Sequence, residues 1–424
     1  MSTHRKNYRI LKMASLIILC GVSLGVLINV GGNMFEKTDQ DISLNGESLE
    51  VASTPHRLTP KSVKQNPDTP VAGANKKDDI STTQHLPIPE RVKESPGART
   101  TDASQKDDVT RVSLRGGTYR LELVSVNRIW GGNSHDAFTS LAEHNGILYC
   151  AFRHSSGHNT RDGKIKVIKS QNGSNWEEMA ILSVKGKDLR DPKLSINSGG
   201  ELVLVGLGRS SAAQNNRHVT YTWRFRDGRW SDANLDTNSE NTWKWGVGRV
   251  DNQIYSIAYS GKDKHGTLYR SRNGQKWEKV SDRIFPDIKD YPNESAFVEI
   301  EGKSILCLLR KNEGNKRAKL GVSKPPYKTW DWKDLDKQIG GPSLIRLPNG
   351  DIYACVRLYQ PVRTSICRVD VENGRLVEMI KLPSGNDTSY AGMVLFNGQL
   401  YISYYSNHET GKGKSAIYLA KIKI

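Results

Sequence analysis

The chain is short of the residues that mark several large protein classes. Its five cysteines in 424 residues are too few for a disulfide scaffold. None of Cys20, Cys150, Cys307, Cys355 and Cys367 stands at the two-to-four-residue interval of a zinc or redox motif, so neither a metal nor another cofactor is expected. Cys150, Cys307 and Cys355 fall in strand-like runs ("ILYCAF", "SILCLL", "IYACV"), where buried free thiols are expected, and only Cys367 leaves a bridge open. No stretch of the globular part sustains a helical apolar period, which excludes a helix bundle. Long apolar runs are also missing, with one exception. Residues 13–30 carry no charge and come after a flank (1–12) in which Arg5, Lys6, Arg9 and Lys12 meet no acid. A basic end before an apolar stretch near spanning length reads as a single-pass signal anchor, or as a cleaved signal peptide. The remainder is expected outside the cytoplasm, tethered in the first case and secreted in the second.

Aromatic residues are nearly absent from 31–110, where Phe35 stands alone among Ser, Thr, Pro, Asp, Lys and Asn. Such a segment buries too little apolar surface to offset chain entropy, and a disordered spacer is expected there. Acidic residues are in deficit beyond position 110. The first 30 residues hold four basic and no acidic residues and the spacer ten and thirteen, which leaves 48 basic against 32 acidic, net +16, for 111–424. An exported domain with that balance favours an acidic partner, an anionic glycan or a membrane surface, over nucleic acid.

What is present is a repeat. From residue 137 one phrase recurs, an apolar strand, a turn and a second apolar strand: "FTSLAEHNGILYCAFR", "KLSINSGGELVLVGLG", "WGVGRVDNQIYSIAYS", "SAFVEIEGKSILCLLR", "PSLIRLPNGDIYACVR" and "GMVLFNGQLYISYYS". Its turn markers Gly146, Gly200, Asn252, Gly302, Gly350 and Gly398 are spaced by 54, 52, 50, 48 and 48 residues. Asn-Gly and related pairs tolerate the positive backbone angles of two-residue hairpins. A second marker, Trp176, Trp230, Trp277, Trp330 and then Leu376, comes after each of the first five hairpins. Four short strands in each unit of about 50 residues, six times over, predict an all-β six-bladed propeller over 111–424.

Two copies of the outer turn, "SQNGSNW" at 170–176 and "SRNGQKW" at 271–277, resemble the Asp-box (BNR repeat) of sialidases, with Asn172 and Asn273 in place of the usual aspartate. More specific are Glu294 in "YPNESAFVE", Arg310 in "LLRKN", Arg357 in "CVRLY" and Tyr390 in "DTSYAG", whose order and spacing resemble the family's glutamate, two of its three arginines and its tyrosine. The resemblance spans about 120–424 and implies an exo-sialidase-like glycoside hydrolase acting, as a monomer, on an acidic oligo- or polysaccharide. It implies Tyr390 as nucleophile, Glu294 as the partner taking its proton, and Arg310 and Arg357 as a carboxylate clamp. Asp162 in "HNTRDGKIK" takes the place of the family's acid, with His158 as a rival donor.

The first blade departs from the family, because "HDAFTSL" (His135, Asp136) stands where an arginine phrase is usual, and Arg153 and Arg190 are the candidates to replace that charge. Asp136, Asp191 and Glu294 also allow a furanosidase-type mechanism with three carboxylates. A propeller that binds glycans without cleaving them is the alternative from another class. Trp243 and Trp245 in "NTWKWGVG" serve either packing or sugar stacking.

Overall fold

The computed structural model describes residues 120–424 apart from 213–217, 239–240, 262–263 and 412; the basic flank, the apolar segment and the spacer lie outside the described residues. Six antiparallel sheets succeed one another along the chain. Blade I comprises His135–His144, Ile147–Ser155, Lys164–Ser170 and Glu177–Leu182. The innermost strands of blades II to VI are Lys187–Ile196, Trp243–Val250, Pro292–Ile300, Gly340–Arg346 and Thr388–Phe396. Blade VI takes its outermost strand from the other end of the chain, Glu122–Gly131 pairing with Ala416–Lys423. A strand from ahead of the first repeat and the strands of the last repeat thereby share one sheet, which closes the ring. This strand lies ahead of the first repeat and is invisible to the repeat period.

The hairpin markers behave as their residue types require. Asn145 and Gly146, Asp251 and Asn252, and Asn397 and Gly398 all have positive φ, the backbone of two-residue turns that match strand twist. The two heptapeptides close the turn between the third and fourth strands of blades I and III. Asn172 Oδ1 accepts the backbone N–H groups of Ser174 (2.8 Å) and Asn175 (2.9 Å), and Asn273 Oδ1 those of Gln275 and Lys276 (both 3.0 Å). Gly274 in the second turn has φ +77°, and a Cβ there would fall 2.5 Å from Val203 of blade II, so the turn docks on the neighbouring blade only as glycine.

Among the described residues, six apolar clusters occupy the six interfaces between adjacent blades. Those of I/II, III/IV, IV/V, V/VI and VI/I each bury eleven or more residues, whereas II/III buries six, Val203, Val205, Ile254, Ala258, Tyr269 and Trp277. Polar packing takes over at that last interface, where Lys244 reaches Asp236 at 2.6 Å over the rings of Tyr269 and Trp277. Cys150, Cys307, Cys355 and Cys367 are buried free thiols, so Cys367 forms no bridge.

Candidate active site

Each innermost strand carries a β-bulge at the same place. The pairing with its neighbour slips between Ala137 and Ser140, Arg190 and Lys193, Lys244 and Gly246, Pro292 and Ser295, Gly340 and Ser343, and Ser389 and Gly392. A bulge leaves a residue unpaired and re-aims its side chain. The unpaired positions include Phe138, Asp191, Trp245, Glu294, Gly341 and Tyr390, at least one in each blade. Phe138, Asp191 and Tyr390 sit in the left-handed region (φ +60°, +46° and +54°), at a cost of about 1 kcal/mol each.

Three of these residues meet directly. The Tyr390 hydroxyl donates to Glu294 Oε1 at 2.8 Å, while Glu294 Oε2 accepts from Arg310 Nη1 at 2.7 Å and from the Gly341 N–H at 2.9 Å. Arg310 Nη1 also lies 3.2 Å from the Tyr390 oxygen. Burial opposes ionisation of Glu294, but the Arg310 charge and these hydrogen bonds outweigh it and hold the carboxyl below its ordinary range. Burial and the Glu294 charge push the Tyr390 phenol far up, so it is neutral at rest. Gly341 leaves the space this needs: a Cβ would fall 2.6 Å from Tyr390 Cδ2.

A second group adjoins the first. Arg357 lies over the Tyr390 ring at 5.3 Å, donating through Nε (2.9 Å) and Nη2 (2.5 Å) to the Thr388 carbonyl and through Nη2 to the Tyr405 hydroxyl at 3.0 Å. Tyr405 donates to Asp387 Oδ1 at 2.6 Å, and Asp387 Oδ2 accepts from His135 Nε2 at 2.9 Å and His158 Nδ1 at 3.0 Å. Burial opposes the Asp387 charge, yet bonds from both histidines and Tyr405 hold its carboxyl far below the usual range. A carboxylate only accepts, so each imidazole carries hydrogen on the nitrogen facing it. His158 packs edge-on against Phe138 (5.4 Å), which packs against Tyr390 (5.0 Å). His135, His158 and Asp387 also offer three ligand atoms within 4.8 Å of one another, a donor set able to hold a divalent cation.

Asp191 is 4% exposed and accepts no hydrogen bond from the described residues. Burial pushes its carboxyl up to about 6, the charges of Arg190 and Lys193 pull down, and Glu294 pushes up. Arg190 lies 5.0 Å from the Phe138 ring and donates to the His158 carbonyl at 3.3 Å.

Three residues expected in the site are engaged elsewhere. Arg153 is fully buried and spends its guanidinium on Asp188 (3.0 and 3.3 Å), Ser155, the Gly157 carbonyl (2.9 Å) and the Thr160 carbonyl (2.8 Å), leaving no donor for a substrate. Asp136 is fully buried between the Ser134 hydroxyl (2.8 Å) and His154 Nδ1 (2.6 Å), which removes one carboxylate from the three-acid arrangement. Asp162 is an exposed turn residue accepting the Ser156 N–H at 3.0 Å; burial is outweighed by bonds from Thr160 and Ser156, and its carboxyl is held at about 2. An acid of that strength holds no proton to donate near neutral pH.

Sequence reasoning passed over Phe138, Gly341, Asp387 and Thr388. A signal for the first two was present, because each of the six bulge residues named above stands seven to nine positions before the hairpin marker of its repeat. Asp387 had none, since its role arises from pairing across blades I and VI.

No family model and no curated protein matches the chain. Among solved structures it is similar to a protein of unknown function from Dyadobacter fermentans, with 19% identity over 72% of this chain and 99% of that one and a TM-score of 0.64. Trypanosoma rangeli sialidase in complex with the inhibitor DANA is similar at 12% identity over 68% of this chain and a TM-score of 0.54, and the alignment spans 55% of the sialidase. The GH93 α-L-arabinofuranosidase of Fusarium graminearum, with arabinobiose, is similar at 13% identity over 71% of this chain and 98% of that one, TM-score 0.58. The chain is thus a six-bladed β-propeller of the architecture that sialidases and arabinan-cleaving glycosidases share.

Proposed function

We propose that the protein is an exported glycoside hydrolase acting on an acidic glycan with retention, through Tyr390. The observation that carries this reading is the bonded set Tyr390, Glu294 and Arg310 on the bulge ring. Glu294 is ionised and in contact with a neutral phenol, so the tyrosine proton moves to Glu294 Oε1 as the oxygen attacks the anomeric carbon. The leaving oxygen takes its proton from Nε2 of His158 in its imidazolium form, whose Nδ1–H stays on Asp387 and whose side chain is 40% exposed. Water then attacks the glycosyl-tyrosine and gives its proton to His158, while Tyr390 recovers its own from Glu294. Arg310 and Arg357 each keep guanidinium donors without a protein partner among the described residues, and these are the groups offered to a sugar carboxylate.

Asp191, poised near 6 beside an ionised Glu294, favours a second reading in which two carboxyls do the work without the tyrosine. The test is to incubate the protein with sialosides, uronate-containing and sulfated polysaccharides and arabinan, and to identify released sugars by mass spectrometry. Release lowered about a thousandfold or more by both Glu294→Gln and Tyr390→Phe supports the first reading. Loss with Asp191→Asn and Glu294→Gln but not with Tyr390→Phe transfers the chemistry to the carboxyl pair. Binding without release from any substrate would leave an adhesion propeller.

A further inference from the structure

Beside the bulge ring, on blades II and III, stands a row of aromatic rings that the mechanism does not use. Trp243 opens the innermost strand of blade III and pairs with Tyr259 across the sheet. Their rings are stacked, 5.8 Å apart and 8° from parallel. His218, at the start of the third strand of blade II, lies 5.1 Å from Trp243. All three are half-buried. Trp243 belongs to none of the six interblade cores, although it stands at the interface with the smallest one.

The row adjoins the reacting centre, because Trp245, two positions along the strand from Trp243, packs edge-on against the Tyr390 ring at 5.2 Å. The Tyr259 phenol lies within the electrostatic influence of Glu294, Asp191, Tyr390 and Tyr291. Tyr291, just ahead of the strand carrying Glu294, is covered by the Lys264 ammonium at 4.7 Å from its ring. At the far end His218 feels Arg209, Arg190 and Arg161, and burial together with those charges lowers its pKa and keeps it neutral. A neutral imidazole is a hydrogen-bond partner for a hydroxyl, and an indole or phenol offers its face to the C–H side of a sugar ring.

A purely structural account of the row is a cross-strand aromatic pair trimming the edge of blade III. That explains Trp243 against Tyr259. It does not explain why the series continues onto blade II and leaves all three rings half-buried.

We infer that His218, Trp243 and Tyr259 form a second sugar-binding subsite, which seats the glycosyl residue next to the one attacked. This rests on the reading of the bulge ring as a glycosidase centre and adds the class of substrate. The glycan is an oligosaccharide or polysaccharide chain, recognised over at least two rings, and not a simple glycoside.

The test uses the full chain with a length series: a methyl glycoside of the sugar released by the wild-type protein, then oligosaccharides of two to six residues ending in it. The expected result is a rise in kcat/KM of about tenfold or more from methyl glycoside to disaccharide. Trp243→Ala should lower kcat/KM on the oligosaccharides about tenfold more than on the methyl glycoside. Equal rates across the series, or a Trp243→Ala defect of the same size on every substrate, overturns the subsite. If the wild type cleaves nothing, the catalytic reading falls by itself. The subsite then stands only if sialyl-lactose or a chondroitin hexasaccharide quenches tryptophan fluorescence of the wild type and not of Trp243→Ala, and it falls if neither does.

Discussion

The carboxyl of Asp191 can be tested without knowing any substrate. Burial holds it at about 6 in the folded protein, whereas an unfolded chain leaves aspartate near ~3.9. The sign is set by proton binding. Between these values the folded state binds more protons than the unfolded one, so this group's contribution to stability is greatest below about pH 4 and is lost as pH rises to about 6. Above that the loss is complete. The displacement is roughly two pH units at about 1.4 kcal/mol each, an upper bound of about 3 kcal/mol that already contains the attraction of Arg190 and Lys193. Asparagine matches the protonated carboxyl in shape and cannot ionise. Asp191→Asn is therefore expected to change stability little at pH 4 and to stabilise by about 1–3 kcal/mol at pH 7. Guanidinium unfolding of both proteins, monitored by tryptophan fluorescence in steps from pH 4 to pH 8, reads the difference directly. A difference independent of pH, or a variant less stable than wild type at pH 7, would refute the reasoning, since it would mean that the ionised carboxylate has bonding partners.

Other expectations rest on particular contacts. Gly341→Ala places a methyl group 2.6 Å from the Tyr390 ring in a left-handed backbone position; about 1 kcal/mol of stability and roughly a hundredfold in kcat should be lost, measured by thermal unfolding and initial rates. Asp188→Ala removes the carboxylate from Arg153 (3.0 Å) and Arg209 (2.5 Å), and leaving Arg153 buried and unpaired should cost about 3–5 kcal/mol in guanidinium unfolding. Asn172→Ala deletes the acceptor of two backbone N–H groups and should cost about 1–2 kcal/mol, whereas Asn172→Asp keeps both bonds and should be nearly neutral by the same measurement.

How much of the site was legible differs residue by residue. Glu294, Arg310 and Tyr390 were recognisable because their order and spacing resemble the sialidase set, and the structure brings all three into mutual hydrogen bonding. Asp162 was chosen from its spacing, but loop conformation is not written in spacing. There the exposed aspartate caps a turn while His158 packs onto Phe138. Arg153 was chosen for its charge, and only packing reveals that its donors are consumed by Asp188 and three neighbouring residues.

By itself the sequence determined the number of blades, the hairpin register and the outer turns, because these depend on local patterns: alternating apolar strands, residues that accept positive φ, and side chains that bond their own backbone within four positions. The tertiary structure decided everything that depends on distance across the ring. It closed blade VI with Glu122–Gly131, turned at least one residue of each innermost strand out of register, and joined Asp387 to His135 252 positions away. The physical reason is that a propeller's centre is assembled from six segments far apart in the chain, so the partners of each group there are set by how blades pack and not by neighbours in sequence.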